Sequence, residues 1–209
     1  MRMRKKKNLD SRLSAVSDYF IKDLSEFENF DGVYLEIGCG KGKFITENAL
    51  LHPDILFVAA EKVSSVILLA AEKAAAQDIK NIRFYCGDII NLSQIENSHF
   101  CDRIYLNFSD PWPKDRHARR RLTHRDRLKT YFDVLKEEGV IEFKTDNDPL
   151  FEFSMEEIRE SGYEILEYTE DLHSSDYESK YMTTEYEDRF SAGGKNINYV
   201  KFKRKTASK

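Results

Sequence analysis

The chain has 209 residues, 41% hydrophobic and 33% charged, and its 33 basic and 37 acidic residues leave a net charge of −4. That is the length of one domain, with enough apolar material for one core and too much for a disordered chain. No apolar run is longer than Ile55–Ala60, far short of a membrane span, and the average charge excludes a globally basic nucleic-acid coat.

Asp10 or Ser11 is expected to cap a helix over about 11–28, with Leu13, Val16, Phe20, Leu24 and Phe27 on one side. Val33–Ile37 follows Asp31-Gly32 as a short strand, then a glycine-rich turn and a helix to about His52, stopped by Pro53. Ile55–Glu61 reads as a buried strand, 63–77 as a helix and Ile82–Cys86 as a third strand ending at Gly87-Asp88. Asp102–Phe108 is a fourth strand. A helix from Arg125 to Glu137 is expected to end at Gly139. Val140–Thr145 is a fifth strand, 150–161 a helix, Tyr163–Thr169 a strand and Asn198–Lys203 the last strand, after about twenty polar residues. Helices alternating with apolar strands predict an α/β fold, with a sheet covered on both faces. A basic tail and helix over 1–30 would precede the main domain over 31–209, one domain overall.

The charge is strongly segregated. Residues 1–7 carry five basic residues, 114–121 five in eight, and 195–209 six, whereas 150–190 carries thirteen acids. The two terminal segments read more readily as ordinary solvated surface or tails. The central cluster needs a reason, because its charges repel, and a polyanion such as RNA supplies one. Cys39, Cys86 and Cys101 form no Cys-x-x-Cys pair, so neither a disulfide framework nor a metal site is expected. The basic start leads into no apolar stretch, so no secretory signal is expected, and the cytoplasm is the simplest location.

In open α/β sheets ligands bind beyond the carboxyl ends of the strands. The first strand ends in Glu36-Ile-Gly38-Cys-Gly40-Lys-Gly42, the second in Glu61, the third in Gly87-Asp88. The glycines permit a tight turn and close backbone approach. Each acid alone could be a helix cap, but three at successive strand ends form a pattern. Glu36 would repel a pyrophosphate, which disfavours a dinucleotide. S-adenosylmethionine has no phosphate, and its cationic centres, ribose diol and adenine amine all suit carboxylates. The pattern resembles the class I methyltransferases.

The fourth strand leads into Asn107-Phe-Ser-Asp110-Pro-Trp112-Pro-Lys114, where two prolines stiffen a loop holding a carboxylate, the single tryptophan and a lysine. Here the chain resembles the bacterial tRNA (guanine-N7-)-methyltransferases over nearly its whole length. The likeness rests on Glu36–Gly42, Glu61, Gly87-Asp88, Phe108–Lys114, Lys144-Thr-Asp146 and Thr184-Glu-Tyr-Glu-Asp-Arg-Phe190. The resemblance implies a mostly parallel, doubly wound, seven-stranded sheet with an antiparallel last strand, S-adenosylmethionine as cofactor and tRNA as partner. It implies methyl transfer to N7 of a guanine in the variable loop, by a monomer or homodimer. Glu36, Gly38, Gly40, Gly42, Glu61, Asp88 and Asp110 would bind the cofactor, with Asp110 also catalytic. Lys114, Asp146, Thr184, Glu185, Tyr186 and Glu187 would hold the guanine. Arg116, His117, Ala118, Arg119, Arg120 and Arg121 would contact RNA. His124 is read as an RNA contact or a structural residue. The alternatives are an RNA-binding module without catalysis, a dinucleotide-dependent dehydrogenase, and a methyltransferase of another substrate.

Overall fold

The computed structural model describes residues 8–89, 91, 99–177, 183–184 and 195–205. They fall in two compact units, Met1–Asp88 and Ile89–Lys209.

In the first unit the apolar runs become three parallel strands, β1 (Gly32–Ile37), β2 (Ile55–Glu61) and β3 (Ile82–Cys86), with β2 paired to both others. Leu56 to Ala60 are fully or almost fully buried, as a strand covered on both faces requires. Helices α2 (Lys43–Leu51) and α3 (Ser64–Ala76) pack Ile45, Ala49, Ile67, Ala70, Ala71 and Ala74 around Phe57, Ala59 and Phe84. Buried Asn81, just before β3, directs its side-chain amide at the carbonyls of Ala49, His52 and Ile55, 2.8–2.9 Å away. One side chain thus shares its two N–H donors among three carbonyls and ties the end of α2 to the start of β2; His52 O also accepts from Ile55 N at 3.2 Å.

The helix expected over 11–28 is broken. Helix α1 (Leu9–Ala15) begins two to three residues earlier than Asp10 or Ser11 capping would give, with Asn8 at the cap and no side-chain cap bond. A 3₁₀ turn at Ser17–Tyr19 follows, the chain extends at Phe20, and Asp23 caps a second turn at Leu24–Asn29 by accepting from Ser25 N. The cause is β3. Its outer side would be an open sheet edge, and the chain covers it with a parallel Phe20–Phe84 bridge and an Ile21 N to Phe84 O bond of 3.1 Å. Arg12 to Glu72 and Arg83 to Glu26 ion pairs secure this segment at both ends.

The second unit contains β4 (Cys101–Asn107), helix α4 (Arg125–Val134), β5 (Leu135–Thr145), helix α5 (Asp148–Glu160), β6 (Glu164–Thr169) and β7 (Asn198–Lys203). β4 and β5 are parallel, and β7 lies antiparallel between β5 and β6. The seven described strands run in the order β3-β2-β1-β4-β5-β7-β6, the mixed α/β sheet expected, with its last strand antiparallel.

The helix expected to reach Glu137 stops three residues earlier, and Gly139 is not its terminus. β5 already pairs at Leu135 with Cys101, then bulges before resuming at Val140 with Arg103. A Cβ on Gly139 would stand 2.7 Å from Leu135 Cδ2 and about as close as 3.1 Å to backbone oxygen, so glycine permits the chain to fold across itself there. α4 starts under a histidine cap, His124 Nδ1 accepting from Asp126 N at 3.2 Å. Arg125 binds buried Glu157 of α5 through its backbone N–H and its guanidinium. Burial alone would raise the Glu157 carboxyl, but the hydrogen bonds and charge of Arg125 outweigh it and hold it below the ordinary range.

Candidate active site

In the first unit the parallel register brings the expected acids to neighbouring strand ends. Ile37 lies opposite Ala60, and Glu61 opposite Cys86. Glu36 is buried at 3% exposure near the end of β1. Glu61 ends β2 and accepts a 2.9 Å hydrogen bond from Val63 N. Asp88 lies two residues past β3 and pairs with Lys62 at 2.6 Å. Glu61 and Asp88 are thus held by groups of the protein itself. The field of the acids is felt between them. Burial pushes the Cys39 thiol well up, and Glu36 and Glu61 push it further the same way; burial and then Glu61 raise Cys86.

The turn after β1 is built from backbone. Gly38 and Cys39 donate to Ala60 O at 2.8 and 3.2 Å, and Gly42 N closes on Cys39 O at 2.9 Å. Gly42 combines φ 75° with a Cβ position 2.6 Å from Ala70 Cβ, so no other residue fits where α2 meets α3. At Gly38 and Gly40 an added Cβ would meet nothing within 4 Å. The open space above this backbone and the acids around it suit a ligand with a diol, an amine and a cationic centre and no phosphate. By both observations the residues fit S-adenosylmethionine.

In the second unit the end of β4 opens into the proline-bounded loop. Asn107 pairs with Lys144 of β5, and Phe108 N donates to Lys144 O at 2.9 Å. Asp110 and Asp146 thus follow adjacent strand ends. Phe108 and Trp112 both have positive φ, 48° and 42°. That region costs an ordinary residue about 1–2 kcal/mol and persists only where the surroundings enforce it. Asp110 and Lys114 are exposed, whereas the Ser109 hydroxyl is shielded from solvent and has no hydrogen-bond partner among the described residues. Asp146 is mostly shielded, with Lys195 Nζ 3.8 Å away. Thr184 is buried; Glu185, Tyr186 and Glu187 lie outside the described residues.

The expected RNA-contacting run divides sharply. It forms a 3₁₀ turn at Asp115–Arg120. Arg116 and Arg119 are exposed. His117 is half-buried with its ring edge-on to Trp112 at 5.7 Å, and Arg120 covers Trp112 at 4.8 Å. Ala118 is half-buried, and its carbonyl accepts from Arg121 N. Arg121 turns inward. Its Nε donates to Pro111 O and its Nη2 to Trp112 O, both at 3.1 Å, and its guanidinium lies 4.3 Å from the Phe153 ring of α5. Nothing in a run of arginines distinguishes the one that folds back, and no sequence signal links Arg121 to Phe153.

Residues 31–200 match a protein family described as "Putative methyltransferase". The chain is 42% identical over 206 residues to the tRNA (guanine-N(7)-)-methyltransferase of Clostridioides difficile (strain 630), covering 94% of this chain and 96% of that protein. It is equally 42% identical to the protein of that name from Metamycoplasma hominis (strain ATCC 23114 / DSM 25592 / NBRC 14850 / NCTC 10111 / PG21), covering 97% and 98%. Among solved structures, the 16S rRNA methyltransferase KamB superposes with a TM-score of 0.65 at 15% identity, covering 87% of this chain and 93% of that one. Sheet order, glycine turn and strand-end acids together define a class I methyltransferase. Within that class the near full-length identity is decisive: the chain belongs to the tRNA (guanine-N7-)-methyltransferase family.

Proposed function

We propose that the protein transfers a methyl group from S-adenosylmethionine to N7 of a guanine in the variable loop of tRNA, in the cytoplasm. The observation that carries this reading is the Phe108–Lys114 loop. It presents an exposed carboxylate at a strand end, between two residues held in left-handed conformation, beside the single tryptophan and exposed cations.

S-adenosylmethionine, when bound, supplies an electrophilic methyl on a sulfonium. Glu36, Glu61, Asp88 and the backbone of Gly38, Gly40 and Gly42 are the groups assigned to hold it, with Asp110. Guanine N7 carries a lone pair and no proton, so the enzyme needs no general base to expose the nucleophile. The work left to the chain is alignment and charge. The purine becomes cationic as the bond forms, and carboxylates oppose that charge best when fixed beforehand. Asp110 and Asp146 are assigned this role in the described part of the chain. A carboxylate also accepts from N1–H and N2–H of guanine together, a pair that adenine lacks. Lys114, Arg116 and Arg119 are exposed and suited to phosphates. His124 is spent as a helix cap, which supports a structural role rather than one in proton transfer.

The reading is tested by incubating the protein with labelled methyl donor and unmodified tRNA, then analysing nucleosides. The expected product is 7-methylguanosine. Label in another nucleoside, or none, overturns it.

A further inference from the structure

We infer that Arg121 is a positioning residue for the Asp110 loop and not an RNA contact; the inference rests on the role proposed above for Asp110. The loop has a structural difficulty of its own. Pro111 and Pro113 bring no N–H, and Phe108 and Trp112 sit in a conformation that side chains disfavour. A segment like this holds one shape only if something outside it supplies donors.

Arg121 supplies them on the exit side. Nε and Nη2 reach the carbonyls of Pro111 and Trp112, the two residues that follow Asp110, at 3.1 Å each. The two bonds bracket the peptide at the strained Trp112. The guanidinium is steadied in turn by Phe153 of α5, at 4.3 Å, and by its own backbone bond to Ala118 O. On the entry side Phe108 N is fixed to Lys144 O of β5. Asp110 therefore lies between two anchored points, although its own carboxylate is exposed. Arg121 is half-buried, unlike exposed Arg116 and Arg119, so its charge is committed to the loop. A planar fork that bonds two adjacent carbonyls while its face lies on a ring is an arginine property. A lysine ammonium keeps the charge and loses this geometry.

Trp112 is the only tryptophan, so intrinsic fluorescence reads this loop without any ligand. The experiment compares Arg121→Lys, Arg121→Ala and Arg119→Ala by Trp112 emission and acrylamide quenching, by single-turnover methyl transfer at saturating tRNA and donor, and by tRNA binding against salt. For Arg121→Lys we expect altered emission, easier quenching, and a transfer step slower by about 10–100-fold, as small misplacement of a reacting group produces. Its tRNA salt slope should stay at the wild-type value. Arg119→Ala should do the reverse, losing about one unit of slope with Trp112 emission unchanged. Wild-type emission and transfer rate in Arg121→Lys overturn the inference. So does an Arg121→Ala protein that loses about one unit of slope as Arg119→Ala does, with unchanged emission. If Arg121→Ala fails to fold, the lysine variant decides. Should wild-type protein make no 7-methylguanosine, the proposed function falls, while emission and quenching still judge the clamp.

Discussion

The turn after β1 and the loop after β4 meet one geometric demand by opposite means. Both need backbone in the left-handed region beside a strand end. The first does so with Gly38, Gly40 and Gly42, at φ 83°, 55° and 75°, and leaves open space where side chains would stand at Gly38 and Gly40. The second keeps its side chains, at φ 48° for Phe108 and 42° for Trp112, and is held from outside by Lys144 O and Arg121. The difference follows from what each region must offer. A surface that a ligand approaches through backbone gains from having no side chains. A loop that presents a carboxylate and an aromatic must keep them and restrain them.

The largest expected effect concerns what the second region presents. Asp110→Asn keeps shape and removes charge, and should slow transfer at saturation by about 10²–10³-fold. The wild-type transfer rate should be flat from about pH 6.5 to 8, below the range in which guanine loses N1–H. A rise of about tenfold per pH unit that Asp110→Asn abolishes would show a proton leaving before transfer and would sink the role of Asp110 as a charge clamp that needs no base chemistry.

The next effect separates the glycines from one another. Gly42→Ala combines positive φ with a clash against Ala70, and should cost about 2–4 kcal/mol in urea unfolding. Gly38→Ala meets open space and should cost only about 1–2 kcal/mol, from φ alone. Equal losses would mean that packing against α3 does not set the geometry of the turn. Gly38→Ala should still weaken donor binding in a calorimetric titration, because its methyl enters the space assigned to the ligand.

Two smaller effects sharpen the account of the second region. Neutralising Arg116 and Arg119 together should lower the salt slope of tRNA binding by up to about two units and leave donor affinity unchanged. An unaltered slope would reduce the pair to solvated surface. Ser109→Ala removes a shielded hydroxyl that has no partner among the described residues, and should raise the stability of the ligand-free protein by no more than about 1 kcal/mol. A clear loss of stability would show that the hydroxyl is satisfied in solution.

The strands were the most legible part of the fold. β2, β3 and β7 have the limits expected, because short apolar runs between turn residues leave little choice. The helix ends were less legible, for two tertiary reasons. Periodicity over 11–28 could not show that the edge of β3 would draw Phe20 and Ile21 into extended form. A glycine after a helical pattern reads as a terminus, and only the bulge opposite β4 reveals that Gly139 serves a chain crossing. At the candidate site, chemical type and strand-end position were readable for Glu36, Glu61, Asp88, Asp110 and Asp146. Partnership was not. The Lys62–Asp88 pair, the His124 cap and the inward turn of Arg121 each depend on three-dimensional neighbours, and a run of like residues hides the one that differs.

The short extended segment at Phe20–Ile21 also bears on how the protein can be handled. It lies against the outermost strand of its unit, where Phe84 would otherwise offer backbone groups to any passing chain. The amino-terminal arm therefore covers backbone of an edge strand. Trimming it through Ile21 is expected to uncover that edge and favour strand-to-strand association, whereas a fusion placed ahead of Leu9 leaves the edge covered.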